Sequence, residues 1–348
     1  MTRSWLLFAT ALACSPLPPR AHEVAKIDVA KIDVAKIDVA KIDVAGFPIE
    51  PLVALDGGDG QAVAASGDRI ATFGSSRATW WSSGVRRSVA LPNVPVAGAR
   101  WSADGTSLLA GTGTIDVANG TWSTHPAFAS LAPPGPPGAG SPVLQATSWS
   151  ADARYAAALV GWSGPPPSGG TPATHIVVLD LVGGSAPVII PADGATGVRI
   201  AGDRVVVAAP IVRVWTFDGA PIAALPAGRG APLWLGGGEG GPVFVVDANW
   251  SIRILHPSSW SVQATWAGPL RDAVAVPGGG IIGVDLQGKL HAGCLEGDRV
   301  REVGTAETGV HAAHLAVTGD GRLVIMGSAA VPVHTTAYRL TCGAGPGR

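Results

Sequence analysis

Three cysteines, eight histidines and twelve tryptophans are the residues of this chain that could form covalent links, hold a metal or stack on a ligand. Their spacing assigns little of that chemistry. His311 and His314 stand three apart in an expected strand, so they face opposite sides and make a poor metal pair. His256 and His334 occur singly and read as turn or surface residues. There is no Cys-x-x-Cys, no His-Glu-x-x-His, no phosphate-binding Gly-rich motif with its Lys, and no Gly-x-Ser-x-Gly nucleophile elbow. Motifs therefore assign no catalytic residue, no metal and no cofactor. A site assembled from loops distant in sequence would escape such a search. Trp101, Trp149, Trp215 and Trp266 fall at strand or strand-end positions, where packing between repeated units accounts for them. Trp80 and Trp81 are adjacent and point to opposite faces, so at most one is exposed.

The cysteines divide by place. Met1-Thr2-Arg3 gives a basic start and Trp5 to Ala13 a short apolar core, the pattern of a secretory signal and too short to span a bilayer. Ala11-Leu12-Ala13 fits a small-x-small cleavage site, and Cys14 follows it. That arrangement resembles a bacterial lipoprotein lipobox, with Ala11 and Leu12 where the motif usually has Leu and a small residue; it implies lipidation of Cys14. Ordinary cleavage after Ala13 or Ala21 would leave a secreted protein. With Cys14 lipidated, Cys294 and Cys342 remain as a candidate disulfide in an oxidising compartment, expected in equivalent third strands of neighbouring repeats. The expected location is the cell envelope, as an outer-membrane lipoprotein, or the exterior.

The elements that would position these residues follow a repeat. Turns at Gly67-Asp68, Ala103-Asp104, Ala151-Asp152, Gly202-Asp203, Gly238-Glu239, Gly278-Gly279 and Gly319-Asp320 recur with a mean step near 42 residues. Each separates short apolar strands. Such a period with several strands per unit predicts an all-β fold, a seven-bladed β-propeller of four-stranded antiparallel blades. Gly and Pro are plentiful and charged residues only 14%, which favours many short strands over helices. The organisation reads as a signal over 1–22, a linker over 23–46, the propeller over 47–341 and a tail over 342–348. The linker holds four copies of Lys-Ile-Asp-Val-Ala, whose period of five suits neither a helix nor a strand face. Extended, it would reach roughly 66 Å, a spacer from a membrane. The last blade has only three strands of its own, and Phe47 to Leu55 is expected to supply the fourth, closing the ring and removing an open edge. The net charge of −1 provides no basic field, which excludes a nucleic-acid partner.

Asp247-Ala-Asn-Trp-Ser-Ile-Arg-Ile-Leu255, Asp285-Leu-Gln-Gly-Lys-Leu290 and Val212-Arg-Val-Trp-Thr-Phe-Asp218 resemble blades of WD-repeat proteins. Trp101-Ser-Ala-Asp-Gly105 and Trp149-Ser-Ala-Asp152 are similar to the first hairpin turns of WD and related bacterial propellers. The family's Gly-His pair occurs in no blade and Trp-Asp nowhere as a dipeptide, so its internal hydrogen-bond tetrad is not read here. The resemblance implies a rigid, non-catalytic binding platform.

Two Pro/Gly-rich segments break the spacing. Pro126 to Pro142 contains Ala132-Pro-Pro-Gly-Pro-Pro-Gly138, and Ser163 to Pro172 contains Gly164-Pro-Pro-Pro-Ser-Gly-Gly170. The first joins the last strand of the second blade to the first strand of the third. The second joins the second and third strands of that third blade. In a propeller those connections emerge on one face, so the insertions should be neighbours. Long loops on a rigid scaffold are where binding concentrates. Pro134, Pro137, Trp162 and Pro166 are the candidate contacts for a protein partner at the envelope. The alternative is an envelope hydrolase or lyase with a loop-built site at the central channel.

Overall fold

The computed structural model describes the strands Asp43–Val44, Phe47–Pro48 and Val53–Leu55 and most of residues 62–342. Cys14, the linker before residue 43, and the Pro-rich stretches 136–139 and 164–172 lie outside the described residues, as do Pro134, Pro137 and Pro166. The chain divides into two units, Met1–Ala40 and Lys41–Arg348, and the described strands all belong to the second.

Alternating side chains explain the strands. In Arg69–Phe73, Arg204–Ala208 and Val243–Asp247 nearly every residue is buried, because each is the second strand of its blade with sheet neighbours on both sides. Fourth strands such as Val85–Ala90 and Pro221–Ala224 are largely exposed, and the first of these carries Arg86, Arg87 and Ser88. Among the described residues the strands fall into seven groups of four. They begin with Ala62–Ser66, Arg100–Trp101, Pro142–Trp149, Gly197–Ala201, Pro232–Gly237, Leu270–Val276 and Ala312–Val317. Two groups are fused into one eight-stranded sheet by a single parallel bridge, Thr265 to Arg299. First strands lie against the first strand of the next group, except that Pro142–Trp149 meets Ser107–Ala110, the second strand of the group before it, and Ala312–Val317 returns to Ala62–Ser66. The result is a β-propeller.

Apolar clusters fill the spaces between successive blades. Phe73, Trp80, Trp101 and Leu108 bind the first blade to the second, and Trp215 closes the interface of the third and fourth. Trp101, Trp149, Trp215 and Trp266 are all buried, and Trp81 is half-buried beside a fully buried Trp80. Polar threads run between the same blades. Ser148 Oγ accepts the Ile200 N–H at 2.9 Å, Arg100 donates to the Trp149 carbonyl at 3.0 Å, and Thr196 donates to the Pro232 carbonyl at 2.9 Å.

The two Trp-Ser-Ala-Asp turns are built alike. Ser102 Oγ donates to Asp104 and accepts the Ser107 N–H; Ser150 Oγ donates to Asp152 and accepts the Tyr155 N–H. These hydroxyl donations hold both carboxyls below the usual carboxylate range. Gly105 takes a φ of +68°, and a Cβ there would collide with the Arg69 guanidinium, which lies over the Trp101 ring. Ala153 takes the equivalent left-handed position of the second turn at a φ of +57°, where glycine would carry no steric cost.

Closure uses a shorter piece of chain than the run Phe47 to Leu55. Phe47–Pro48 pairs with Asp43–Val44 as a small hairpin, and among the described residues of that run Val53–Leu55 joins the last blade, antiparallel to Val333–Ala337. A chain beginning at residue 57 is expected to lose a few kcal/mol, about 1 for each backbone bond forfeited, and to aggregate through the bared edge of Val333–Ala337. A chain beginning at residue 41 should keep its urea midpoint. Equal midpoints for the two would refute closure by this strand.

Candidate functional site

Alternating strand direction sends the connections of a propeller to two faces. First-to-second and third-to-fourth turns share one face; second-to-third turns and the links between blades share the other. Both Pro-rich insertions belong to the second set, since one precedes Pro142–Trp149 and the other follows Tyr155–Trp162. Those two strands pair, with Pro142 opposite Trp162. The insertions meet just beyond: Gly140 N–H donates to the Ser163 carbonyl at 3.0 Å, and Ser163 N–H donates to the Ser141 carbonyl at 2.9 Å.

Trp162 is the hub of this junction. A Cβ on Gly135, in the first insertion, would collide with its indole, and His175 meets it edge-on at 4.9 Å. His175 Nδ1 is buried with no hydrogen-bond partner among the described residues. The start of the first insertion is also docked. Its 3-10 turn, Pro126–Phe128, is capped by His125 Nδ1, and Phe128 is buried against Trp149 with ring centroids 5.4 Å apart.

The same face carries two polar networks at second-to-third turns, the first of them buried. Asp247 ends Val243–Asp247, and its carboxylate takes the Arg253 guanidinium side-on, at 2.9 Å from Nε and 2.7 Å from Nη2. Arg253 Nη1 reaches the Pro226 carbonyl in the link from the preceding blade at 2.8 Å. In the following blade His291 lies between Asp285, at 3.1 Å, and Glu302, at 2.9 Å. Burial pushes the Asp285 carboxyl up, but bonds from His291 and from the Lys289 and Gln287 N–H groups outweigh it and hold it below the usual range. Aspartates at these turns thus find an Arg or a His from within their own blade, in a chain that lacks the family's Gly-His pair.

The third feature lies along the axis. The first strands surround a cavity of about 520 Å³, walled mostly by Ala, Gly and Val. Its polar side chains come from four successive blades and include Arg199, Trp234, Asp272 and His314. A β-bulge precedes three of them at the same place, between Pro232 and Trp234, Leu270 and Asp272, and Ala312 and His314. Each bulge re-aims the residue that follows it. Asp272 Oδ2 accepts the Leu315 N–H of the last blade at 3.0 Å, and Oδ1 accepts the Ala273 N–H at 2.7 Å. His314 Nδ1 stands 3.9 Å from Asp272, and its ring meets the Trp234 ring edge-on at 5.5 Å. Burial pushes the Asp272 carboxyl up to about 7, against its backbone bonds and the charges of Arg199 and Arg271. Burial, aided by Arg271, pushes His314 down to about 4. Their contact at mildly acidic pH is therefore between neutral groups rather than an ion pair.

This cluster was not read from sequence, where His314 is weighed only as a metal ligand and Asp272 is passed over. The available signal is a carboxylate inside the apolar strand Leu270–Val276. Its consequence for stability has a definite sign. Between about pH 4 and 7 the folded Asp272 keeps a proton that the unfolded chain has released, so its contribution falls as pH rises. The folded His314 lacks, between about 4 and 6.5, a proton the unfolded chain binds, so its contribution rises. Relative to wild type, Asp272→Asn should gain stability as pH climbs from about 4 to about 7, and His314→Asn should lose it up to about 6.5. Urea midpoints across that range test both; parallel profiles in all three proteins would refute the assignment.

Cys294 and Cys342 form a disulfide with Cα atoms 5.6 Å apart. Cys294 is in the third strand of its blade, Leu290–Glu296, but Cys342 is not in the equivalent third strand of the next. It lies beyond the end of Val333–Ala337 and reaches Cys294 of the preceding blade through the disulfide itself. The described residues hold no group of three or more His, Cys, Asp or Glu placed to ligate a metal.

No family model and no curated protein matches this chain. Solved structures do. The chain is similar to one in the crystal structure of the mitotic checkpoint complex, with a TM-score of 0.58 and 14% identity, over 96% of this chain and all of that one. It is also similar to the WD40 β-propeller domain of Doa1, with a TM-score of 0.58 and 11% identity, over 84% of this chain and 97% of that domain. At these identities the likeness is one of fold, and it agrees with the sheets described above: the chain has a WD-repeat-like β-propeller fold.

Proposed function

We propose that this protein is an exported cell-envelope scaffold, binding a protein partner through the face that carries its two Pro-rich insertions. The observation that carries this reading is the junction at Trp162. Two insertions are tied together by backbone bonds among Gly140, Ser141 and Ser163, and Gly135 of the first lies against the indole of Trp162 at the base of the second. Proline's fixed φ limits what a Pro-rich segment loses on binding, so such segments on a rigid scaffold suit a partner surface. Pro134, Pro137, Pro166 and Trp162 are the proposed contacts. The solved neighbours support the general role, since one of them belongs to a multi-protein checkpoint complex. The basic-then-apolar start of the chain supports export, and the Cys294–Cys342 disulfide is the kind of bond an oxidising compartment maintains. Lipidation at Cys14 would tether the propeller to a membrane through the Lys-Ile-Asp-Val-Ala spacer.

The channel's Asp272–His314 contact is what an enzyme reading would use. Both Asp272 oxygens are engaged by backbone N–H groups, which suits a brace between the last two blades better than a general base. A cross-linking pull-down from the native envelope tests the proposal, using the full chain and a chain lacking residues 132–139 and 165–171. A partner captured by the first and lost with the second is the expected result. Equal capture by both, or capture by neither, would overturn it.

A further inference from the structure

We propose that the propeller channel binds a small uncharged molecule with a flat, mostly apolar body and a hydrogen-bonding group, of the class of an aromatic alcohol, seated against Trp234 and His314. The site is built on first strands and not on the insertions, so it stands apart from the partner face.

Space is the first argument. The cavity of about 520 Å³ is in the range of small-molecule pockets, and it is open because its walls are small. Ala64, Gly98, Ala146 and Gly197 line it where larger side chains would fill it. Apolar surface that a ligand buries against such walls is stabilised by about 25 cal/mol per Å².

Two rings are the second. Trp234 in blade five and His314 in blade seven both line the cavity, each just after a β-bulge. Bulges recur beside binding sites because they redirect a side chain. The rings meet edge-on at 5.5 Å, and both are only half-buried. A flat ring added to such a pair gains about 0.5–1.5 kcal/mol beyond the area it buries.

The third argument is which polar groups are already spoken for, and it selects the ligand. Thr196 donates to the Pro232 carbonyl at 2.9 Å. Arg199 is engaged within the protein. Each oxygen of Asp272, a residue 6% exposed, accepts a backbone N–H, from Leu315 at 3.0 Å and from Ala273 at 2.7 Å. Trp234 Nε1 and the His314 ring are different: neither makes a hydrogen bond among the described residues. The approach of His314 Nδ1 to Asp272, at 3.9 Å, is too long for one. The wall therefore offers a ligand an indole N–H and an imidazole that burial keeps neutral above about pH 4.

Other ligand classes fit this wall poorly. An anion or a cation would leave water without meeting an uncommitted counter-charge, which is costly. A sugar would bring more hydroxyls than two rings can satisfy, and each one left unpaired costs about 1–3 kcal/mol. An apolar ring with one hydroxyl leaves nothing unpaired.

Equilibrium dialysis of the full chain near neutral pH decides it. The probes are tryptophol, indole-3-acetate and tryptamine, which share a ring and differ in charge, and glucose. Tryptophol should bind saturably and one-to-one, the two charged relatives about tenfold more weakly or worse, and glucose not at all. Tryptophol binding should weaken about fivefold in Trp234→Leu and about fivefold in His314→Leu. It should be unchanged in Trp122→Leu, which alters a half-buried tryptophan on the fourth strand of blade two. Thermal melts establish which variants are folded, and His314→Leu carries the test if Trp234→Leu is not. The proposal is overturned by any of four results: no saturable binding of tryptophol, a charged relative or glucose bound as tightly, no weakening in a folded channel variant, or equal weakening by Trp122→Leu.

Discussion

Replacing Asp247 by Ala is expected to destabilise the fold by about 3–5 kcal/mol, among the largest effects of any single substitution in this chain. The reason is what remains behind. Arg253 is almost fully buried, with two of its three nitrogens on Asp247 and the third on the Pro226 carbonyl. Without the carboxylate its charge is left in a low-dielectric site with one carbonyl as partner. The double variant Asp247→Leu, Arg253→Met should recover most of the loss, because a buried ion pair exchanged for apolar groups is close to neutral. Urea unfolding of the three proteins measures this. A double variant as unstable as Asp247→Ala would show that the pair supplies net stability and not merely mutual compensation.

Removing the disulfide is the second large effect. Cys294 and Cys342 close a loop with a sequence separation of 48 residues. On the chain-entropy account that restricts the unfolded state by about 4 kcal/mol. The loop contains Arg299–Ala306, Ala312–Val317, Arg322–Gly327 and Val333–Ala337, so the bridge also holds the last blade against the one before it. The last blade is the one completed by a strand from the other end of the chain, only three residues long. Cys342→Ser, and wild type in excess reductant, should both unfold at lower urea than the oxidised protein, by equal amounts. If Cys342→Ser matched oxidised wild type, the bridge would contribute nothing and the end of the chain would be held by other contacts.

Much of the architecture could be read from residue order because it rests on local chemistry. Strands alternate or run apolar according to their place in a blade, and Gly/Asp turns punctuate them, so a repeat near 42 residues is visible without any contact being known. The paired Ser-Ala-Asp turns are local in the same sense: Ser102 bonds Asp104 and Ser150 bonds Asp152 across two residues. The meeting of the two insertions follows from strand direction alone, and the structure adds its details, the Gly140–Ser163 bonds and the Gly135 contact with Trp162. Closure was legible as a missing strand, but the pairing of Phe47–Pro48 with Asp43–Val44 in place of the last blade was not.

The channel cluster belongs to the other kind. Arg199, Trp234, Asp272 and His314 are spread over more than a hundred residues, each in a different blade. Period-two reasoning loses phase wherever a bulge inserts one residue, as it does just before Trp234, Asp272 and His314, so no count along the strand could say which side they face. The partner of Asp247 was equally hidden. Its carboxylate meets Arg253 only because two strands lie side by side, and Pro226 completes the site from another blade. Sequence alone therefore determined the repeat, its turns and the faces on which loops emerge, since these depend on neighbours along the chain. Tertiary structure decided which charges are buried together and what surrounds the axis, because burial and desolvation depend on residues that only the closed ring brings into contact.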